Sequence, residues 1–563
     1  MRVDSHVHYG SGEGYSLYCF VLSDLRSTLV YEPHELRFGT SGRRGRVADL
    51  TQLEIYINVL GELEYLQSLP RSGGGVARGE EFYFAHDLRP SSTRFDEAEN
   101  GRGELCQAVV QAIRDAGMLP VNLGPIPTPA LTCYSLARSR GSIMVTGSHI
   151  PFDLNGYKLN TAAGELMKAD EAPIGERVLQ VRARLYSQAA REAAFDATGM
   201  LQGGHRDLPP VDGSARRAYI ERYLGFFAGK SLAGRRILVY QHSAVGRDLL
   251  VEVLQALGAE VTPRGRSESF VAIDTEAIDD SQLAAIQALA DAALRDGPLW
   301  AVVSMDGDSD RPLILGLENG QVRFFGGDLV GMIVAEYLGA DAVVVPISCN
   351  DAIDRGPLAA SLEPKTRIGS PHVIAGMTAA LARGRNTVCG WEANGGFLLG
   401  SDTVRRGRTL GALPTRDAVL PILGVLFSAQ EQGLSLPELF AKLPPRFSRA
   451  ALLRNFPRAG GQRIVQLLTA GDAVGVSRIT AQLEAFFKPE AGFSAIRKID
   501  YTDGVRILFE NGEVAHFRPS GNADEFRVYA VADSQIRANA IVEAALREPG
   551  GILRSLEQEL LGY

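Results

Sequence analysis

Short apolar segments alternate with longer stretches of helical periodicity along most of the chain. Runs of β-branched and aromatic residues at 82–85 and 142–145 predict strands, and apolar residues spaced three or four positions apart at 53–69 and 104–116 predict helices. One long helix is predicted over 170–195. This alternation favours α/β units, in which helices cover a sheet.

The same alternation returns in two further blocks of the chain. Strands are predicted at 236–240, 299–304 and 342–347, and helices at 248–257 and 327–338. Three similar blocks in a row suggest internal duplication.

The last block of the chain has a different pattern. Strand-like segments at 494–501 and 505–509 flank Asp503-Gly504, a hairpin signal, and a helix is predicted at 533–547. We therefore predict the α/β class, with three similar α/β domains followed by a smaller α+β C-terminal domain. The predicted ranges are an N-terminal extension at 1–34 and domains at 35–198, 199–318, 319–445 and 446–563.

Composition narrows the possible partners and the compartment. The 563 residues include 58 Lys+Arg and 66 Asp+Glu, a net charge of −8 that argues against a general nucleic-acid binder. Because no window reaches about 18 uninterrupted apolar residues, we expect no membrane partner, no secretory segment and a cytoplasmic protein. The five cysteines are scattered without a CxxC pair, which is typical of reduced core thiols. The oligomeric state is left open.

Three carboxylates alternate directly after a predicted buried strand. Asp306, Asp308 and Asp310 lie at i, i+2 and i+4, a spacing that can point three oxygen ligands at one Mg²⁺ or Ca²⁺ ion. An EF-hand is excluded because Arg311 and Leu317 stand where that loop needs glycine and glutamate. The alternative is a solvated turn rich in aspartate. The position at a strand end favours a metal site.

A serine and a histidine follow another predicted strand. Ser148 and His149 come shortly after the strand at 142–145, and the segment 155–158 ends in Lys158. A phosphorylated serine at a strand end can donate its phosphoryl group and offer an oxygen to a metal. The hydrolase motif GxSxG is absent. The alternative is an ordinary turn closed by the serine hydroxyl.

Three glycine-rich loops carry polar groups suited to a phosphorylated sugar. The loop at 517–522 together with Arg527 offers guanidinium groups, a hydroxyl and backbone N–H groups to a phosphate dianion. The loop at 38–45 has the same Gly/Ser/Arg character. The loop at 390–396 offers a carboxylate and an amide to vicinal sugar hydroxyls. Each of these loops, taken alone, is also typical of an exposed turn.

Together and in this order, the segments resemble the α-D-phosphohexomutase superfamily, the phosphomannomutases and phosphoglucomutases, from about residue 35 to the C-terminus. The shared segments are FGTSGRRG at 38–45, TGSHIP at 146–151 with NGYK at 155–158, DGDSDR at 306–311, GWEANGG at 390–396 and RPSG at 518–521. The resemblance implies four domains around one central cleft. It also implies reversible interconversion of hexose 6-phosphate and hexose 1-phosphate through a phosphoserine and a bisphosphorylated sugar. The EANGG form resembles a phosphomannomutase subgroup, so mannose is expected first and glucose second.

The resemblance implies roles for individual residues. Ser148 is the phosphoserine, and Mg²⁺ is held by Asp306, Asp308 and Asp310 together with an oxygen of the serine phosphate. The reacting centre is lined by Arg44, His149 and Lys158, with Lys158 the first candidate for general base. The substrate is bound by Arg311, Gly369, Glu392, Asn394, Arg518, Ser520, Gly521, Asn522 and Arg527. Small-molecule sugar phosphates are the expected partners, with a hexose 1,6-bisphosphate as activator.

Three positions depart from the family pattern, and rival functions stay open. Ile150 replaces the usual asparagine after the serine-loop histidine, GNAD at 521–524 replaces GTEP, and Gly396 stands where many relatives carry a histidine. The rivals are a phosphatase with the aspartates as nucleophiles and a sugar-phosphate sensor without turnover. The HxH pair at His6 and His8 is typical of amidohydrolases, but no downstream His/Lys/Asp set with barrel periodicity accompanies it.

Overall fold

The computed structural model describes residues 23–39, 41–96, 102–276, 278–520 and 524–562. It has a mixed α/β fold in which four larger sheets follow one another along the chain. The HxH pair at His6 and His8 lies outside the described residues. No helix in these ranges combines the length and the apolar character needed to cross a bilayer.

The first sheet and its helices lie between residues 25 and 186. The strands are β1 (Arg43–Arg46), β2 (Glu81–His86), β3 (Phe95–Asp96), β4 (Arg102–Gly103), β5 (Leu119–Pro125), β6 (Ser142–Val145), β7 (Leu154–Thr161) and β8 (Gly164–Glu165). The helices are α1 (Leu25–Thr28), α2 (Gln52–Ser68), α3 (Pro90–Thr93), α4 (Leu105–Asp115), α5 (Thr128–Leu136) and α6 (Glu171–Tyr186). Strands β3 and β4 pair only with each other among the described strands.

The second and third sheets follow. The second contains β9 (Arg236–His242), β10 (Glu260–Arg266), β11 (Ala301–Met305), β12 (Pro312–Glu318) and β13 (Gln321–Phe324), with helices α7 (Ser214–Phe226), α8 (Arg247–Ala256) and α9 (Asp280–Leu294). The third region contains β14 (Ala342–Val344), β15 (Val388–Trp391), β16 (Phe397–Leu399), β17 (Thr403–Arg405), β18 (Arg408–Leu410) and β19 (Leu413–Asp417). Its helices are α10 (Gly327–Leu338), α11 (Ser370–Ala382), α12 (Val419–Gln432) and α13 (Leu436–Phe440).

The fourth sheet is antiparallel throughout, in the order β20, β24, β23, β22, β21. Its strands are β20 (Phe447–Arg454), β21 (Ile496–Asp500), β22 (Val505–Phe509), β23 (Val514–Pro519) and β24 (Glu525–Ala532). The accompanying helices are α14 (Arg458–Leu467), α15 (Ala473–Glu484), α16 (Gln535–Leu546) and α17 (Ile552–Leu561). This region has the α+β pattern expected from the sequence.

The first three sheets share one arrangement, in which parallel strands are followed by antiparallel ones, and this accounts for the repeated pattern in the sequence. In the first sheet, β5, β2 and β6 are parallel, and β7 and β1 continue antiparallel. In the second, β10, β9 and β11 are parallel, and β12 and β13 continue antiparallel. In the third, β14 and β15 are parallel, and β16 and β19 follow antiparallel. The last parallel strands, β6, β11 and β15, are buried along their whole length because both faces of the sheet are covered.

Several elements differ from the sequence predictions. The helix predicted over 170–195 ends at Tyr186, because residues 188–190 pair with residues 23–25 instead. Leu25, within the range 1–34 predicted as an N-terminal extension, is buried in the core of the first sheet. The strand predicted at 342–347 stops at Val344.

The second sheet continues past the domain boundary predicted at residue 318. Strand β13 pairs with β12 through a turn at Asn319 and Gly320, whose φ angles are 52° and 80°. Two positive φ angles at an Asn-Gly pair are typical of the tight type I′ hairpin turn. This hairpin carries the second sheet to Phe324, and the remaining domain boundaries stay predictions.

Candidate active site

The three repeated sheets place three of the predicted loops at the same topological position. The serine loop joins β6 to β7, the aspartate loop joins β11 to β12, and the sugar loop joins β15 to β16. Each loop therefore follows the last parallel strand of its sheet and leads into an antiparallel partner. The phosphate loop lies in the fourth sheet, between β23 and β24.

The serine loop holds Ser148 in a constrained and buried position. Its φ of 56° is in the left-handed region, and the residue has no exposed surface. The Ser148 hydroxyl donates to Oδ2 of Asp306 at 2.8 Å and lies 3.4 Å from Nδ1 of His149. Gly307 permits this approach, because a Cβ there would lie 2.5 Å from the Ser148 carbonyl oxygen. The serine and aspartate loops thus meet at Ser148.

A buried arginine outside the predicted site fixes the serine loop. The Arg89 guanidinium donates to the carbonyl oxygens of Ser148, Ile150, Pro151 and Leu154. The guanidinium also lies 3.8 Å from the Phe270 ring centroid. Four carbonyls bound by one rigid donor group leave the loop little freedom. Nothing in the sequence shows that the partners of Arg89 lie 59 to 65 residues further on.

The aspartate loop has the geometry and chemistry of a divalent-cation site. One carboxylate oxygen from each of Asp306, Asp308 and Asp310 lies within 4.8 Å of the others. Oδ1 of Asp308 and Oδ1 of Asp310 are buried and have no hydrogen-bond partner among the described residues. Burial and repulsion from the other two carboxylates raise the pKa of Asp306 well above its ordinary value. Unpartnered oxygens and repelling charges both fit a bound Mg²⁺.

Cationic side chains surround the aspartate loop. Lys158 donates to Oδ2 of Asp308 and Oδ2 of Asp310, each at 2.6 Å. Burial alone would raise the pKa of Asp308, but the Lys158 ammonium, the Thr128 hydroxyl and the Arg416 guanidinium together outweigh burial and lower that pKa. The Arg311 guanidinium lies 3.6 Å from Oδ1 of Asp310. Burial lowers the pKa of Arg44 to about 10, and its Nε is buried with no hydrogen-bond partner among the described residues.

His149 stands beside the serine hydroxyl as a neutral ring. Burial, followed by the nearby Arg311 and Arg44 guanidinium groups, holds the pKa of His149 well below its ordinary value. A neutral imidazole offers one acceptor nitrogen. The structure places Nδ1 of this ring 3.4 Å from the Ser148 oxygen.

The sugar loop meets the aspartate loop through a residue that the sequence did not single out. Arg416 on β19 donates to Oε2 of Glu392 at 2.9 Å. Its Nε and Nη2 donate to Oδ2 of Asp310 at 3.1 and 2.9 Å. Asn394 shapes the loop, because its side-chain oxygen accepts from the Gly396 N–H at 3.0 Å. No short motif includes Arg416, so only the folded sheet reveals its contacts.

Two arginines at the phosphate loop are bound to carboxylates of neighbouring segments. Strands β23 and β24 place Arg518 directly opposite Arg527, an arrangement that is unfavourable unless anions lie between or beside the two charges. Arg518 donates to Oδ1 of Asp503 at 3.0 Å. Arg527 donates to Oε2 of Glu276 at 3.1 Å and lies 3.7 Å from Asp274. Each of the two arginines therefore binds an anionic group, here a carboxylate.

Of the remaining predicted residues, the structure describes Ser520 and Gly369. Ser520 is buried, and its N–H donates to the Glu525 carbonyl at 2.8 Å. Gly521 and Asn522 lie outside the described residues. Gly369 precedes α11 with a φ of 125°, and the neighbouring Ile368 N–H donates to Asp503, the partner of Arg518. The segment at 366–369 therefore contacts the same hairpin that positions Arg518.

Comparison with known proteins agrees with this geometry. The chain is 37% identical to the phosphomannomutase of Sinorhizobium fredii over 513 residues, which cover 91% of this chain and 98% of the relative. It is also 37% identical to the phosphomannomutase of Salmonella muenchen over 91% of this chain and 95% of that protein. The chain belongs to the phosphoglucomutase/phosphomannomutase family. As such, it is a mutase-type phosphotransferase.

Domain models and a solved structure agree with this assignment. The model for phosphoglucomutase/phosphomannomutase alpha/beta/alpha domain I matches residues 35–184, and the model for domain III matches residues 326–447. These ranges contain the serine loop and the sugar loop. A phosphoglucomutase/phosphomannomutase family protein of Burkholderia thailandensis has the same fold, with a TM-score of 0.63, 18% identity and coverage of 94% of this chain and 98% of that one.

Proposed function

We propose that this phosphohexomutase interconverts mannose 6-phosphate and mannose 1-phosphate through a phosphorylated Ser148. The observation that carries the proposal is the buried Ser148 hydroxyl, 2.8 Å from an aspartate of a three-carboxylate cluster. Mannose is favoured because the two relatives at 37% identity are both phosphomannomutases. Glucose phosphates are the second candidate substrates.

The charges around Ser148 suit a phosphate and a divalent cation bound together. The described reacting centre contains four cationic side chains, Arg44, Lys158, Arg311 and Arg416, and four carboxylates, Asp306, Asp308, Asp310 and Glu392. Adding Mg²⁺ and a phosphate of nearly two negative charges keeps this balance. Asp306, Asp308 and Asp310 would hold the cation together with a serine phosphate oxygen. When bound, Mg²⁺ would offset negative charge on the transferring phosphoryl group.

The chain's own residues account for the transfer. The bond between phosphorus and Ser148 Oγ breaks while a bond forms to a free sugar hydroxyl, and the hydroxyl proton passes to a nearby base. Lys158 is the first candidate because it lies at the reacting centre, with Nζ 2.6 Å from Asp308 and from Asp310, and its neutral amine would accept the proton. His149 is the second candidate, as a neutral ring 3.4 Å from Oγ.

The phosphate loop explains how one site serves both half-reactions. After the first transfer the sugar carries two phosphates, and it must turn end for end before the second phosphate returns to Ser148. Arg518 and Arg527 would hold whichever phosphate is not reacting. Glu392 and Asn394 would bind the sugar hydroxyls in either orientation.

The proposed cofactors agree with two solved structures of the same fold at low identity. The N-acetylphosphoglucosamine mutase of Aspergillus fumigatus, at 15% identity, was solved with glucose 1,6-bisphosphate at a TM-score of 0.53. It was also solved with GlcNAc-6P and magnesium, at a TM-score of 0.50. We propose Mg²⁺ as the cation and a hexose 1,6-bisphosphate as the compound that first phosphorylates Ser148.

Phosphorus NMR distinguishes the proposal from its rivals. The purified protein is incubated with mannose 1-phosphate, Mg²⁺ and a trace of hexose 1,6-bisphosphate. The proposal predicts mannose 6-phosphate at equilibrium without release of inorganic phosphate. A phosphatase would release phosphate, and a sensor would bind the sugar phosphate without converting it. A parallel reaction with glucose 1-phosphate ranks the two hexoses.

A further inference from the structure

The side chain of Arg416 links the sugar loop to the aspartate loop. It is 3% exposed, and its guanidinium binds Glu392 on one side and Asp310 on the other. Two of its nitrogens reach the same oxygen of Asp310, at 2.9 and 3.1 Å. The guanidinium therefore holds a positive charge between Asp310 of the aspartate loop and Glu392 of the sugar loop.

The strand that carries Arg416 is itself anchored to two other parts of the protein. Next to it, Thr415 donates to Oε1 of Glu165 at 2.6 Å. On the other side, Asp417 accepts from the Tyr219 hydroxyl at 2.6 Å and also from Tyr223. Contacts on both neighbours leave Arg416 little backbone freedom. Its direction toward the site is therefore imposed by the fold.

The space that Arg416 occupies exists because residue 396 has no side chain. A Cβ on Gly396 would lie 2.5 Å from Cδ and 3.0 Å from Cβ of Arg416. Gly396 does not have a positive φ, so its backbone does not itself require glycine. A methyl group there would have to displace the stem of Arg416, which is anchored close to the backbone. The glycine and the arginine therefore act as one structural unit.

We propose that Arg416 is a positioning residue that fixes the Glu392 carboxylate for the sugar hydroxyls and uses Asp310 as its anchor. This inference rests on the proposed function, since it takes the sugar to be the ligand of Glu392. Without Arg416, Glu392 loses a charge-assisted hydrogen bond and its orientation. Asp310 keeps its contact with Lys158 at 2.6 Å. It loses the Arg416 guanidinium, which competes with a metal ion for this carboxylate. Sugar binding and metal binding should therefore respond differently to removal of this side chain.

The test compares R416A and R416K with the control R405A, an arginine of the same region that pairs with Glu431 away from the site. In R416A we expect the KM for mannose 1-phosphate to rise about 10- to 100-fold, the range for a lost bond to a charged group. Mn²⁺, measured by EPR without sugar, should bind R416A at least as tightly as the parent protein. R416K keeps the charge without the planar fork and should have an intermediate KM. R405A should match the parent in both measurements.

Two results would overturn the inference. One is an unchanged KM in R416A, and the other is a loss of Mn²⁺ affinity of tenfold or more, which would assign Arg416 to the integrity of the metal site. The Mn²⁺ measurement needs no sugar, so it stays informative even if the parent protein fails to isomerise mannose 1-phosphate. That failure would count against the proposed function and not against the contact to Asp310.

A double-mutant cycle provides a second test, which does not depend on R416A alone. Gly396→Ala should raise the KM as R416A does, because it displaces the same side chain. The KM of the double variant G396A/R416A should then be no higher than the higher of the two single-variant values. If the effects of the two substitutions on KM add in full in the double variant, Gly396 acts independently of Arg416. The proposed structural unit of the two residues would then be wrong.

Discussion

The hydroxyl of Ser148 donates to Oδ2 of Asp306 across 2.8 Å, although 158 residues separate the two in the chain. The contact forms because β6 and β11 occupy equivalent positions in two similar sheets, and the loops that follow them meet. A hydroxyl aimed at a carboxylate cluster is well placed to carry a phosphate whose oxygen completes a metal site. We therefore expect Ser148 to carry the transferring phosphoryl group.

Removing one charge from the aspartate loop should weaken metal binding. Asp308→Asn keeps the size of the side chain but leaves a neutral amide where Oδ2 accepts from Thr128 and Lys158 at 2.6 Å. We expect the Mg²⁺ concentration for half-maximal turnover to rise by about tenfold or more, with the melting temperature little changed. The surface variant Asp291→Asn serves as the control. An unchanged Mg²⁺ requirement would show that the loop is only structural.

The phosphate loop should hold the non-reacting phosphate in both half-reactions. Arg518→Ala removes a guanidinium that can form charge-assisted bonds with phosphate, so we expect the KM to rise about tenfold for both the 1-phosphate and the 6-phosphate. Initial rates measured in both directions give the two values. If the KM rises for one substrate only, a single shared phosphate site is wrong and a second anchor must exist.

Glu276 should compete with the substrate phosphate for Arg527. The carboxylate accepts from Arg527 at 3.1 Å, and burial raises its pKa. Glu276→Gln removes the competing charge, so we expect a several-fold lower KM and tighter inhibition by inorganic phosphate. Both constants come from one inhibition series. A higher KM would instead indicate that Glu276 itself binds the substrate.

Two buried histidines should make the fold sensitive to acid. Burial lowers the pKa of His242 and of His516 from 6.5 to about 4. Between those values the unfolded chain takes up protons that the folded chain refuses, so the free energy of unfolding falls as the pH falls from about 6.5 to 4. Each histidine accounts for at most about 3 kcal/mol.

Denaturant titrations across that pH range test this dependence. His242→Gln and His516→Gln should each flatten the loss of stability at low pH. His34→Gln, at an exposed position, is the control variant. A slope that is the same in all the variants would show that other groups cause the acid sensitivity.

The sequence was informative where the chemistry lies in short loops at strand ends. The aspartate and serine loops follow the buried segments at 301–305 and 142–145, and their letters alone predict the groups that the structure brings together. Local patterns could not reveal contacts between distant residues. Arg416 binds Asp310 across 106 residues, and nothing in its own neighbourhood sets it apart from other arginines.

The misplaced boundaries have local causes. Helical periodicity continues past Tyr186, but pairing of residues 188–190 with the segment at 23–25 ends the helix there. The turn at Asn319-Gly320 carries a hairpin signal, and it keeps β13 in the second sheet. The sequence of the helix does not indicate that a distant segment pairs with the residues after it. The Asn-Gly pair, by contrast, could have predicted that the second sheet continues past residue 318.

The most direct test follows the phosphate on Ser148. The parent protein, Ser148→Ala and the surface control Ser187→Ala are treated with hexose 1,6-bisphosphate, examined by intact-mass and peptide mass spectrometry, and then given mannose 1-phosphate. We expect one phosphate on Ser148 in the parent and the control, transferred to the sugar on the second addition. Ser148→Ala should carry none and lose several orders of magnitude in turnover. If the Ser148→Ala variant is phosphorylated or nearly fully active, Ser148 does not carry the transferring phosphoryl group.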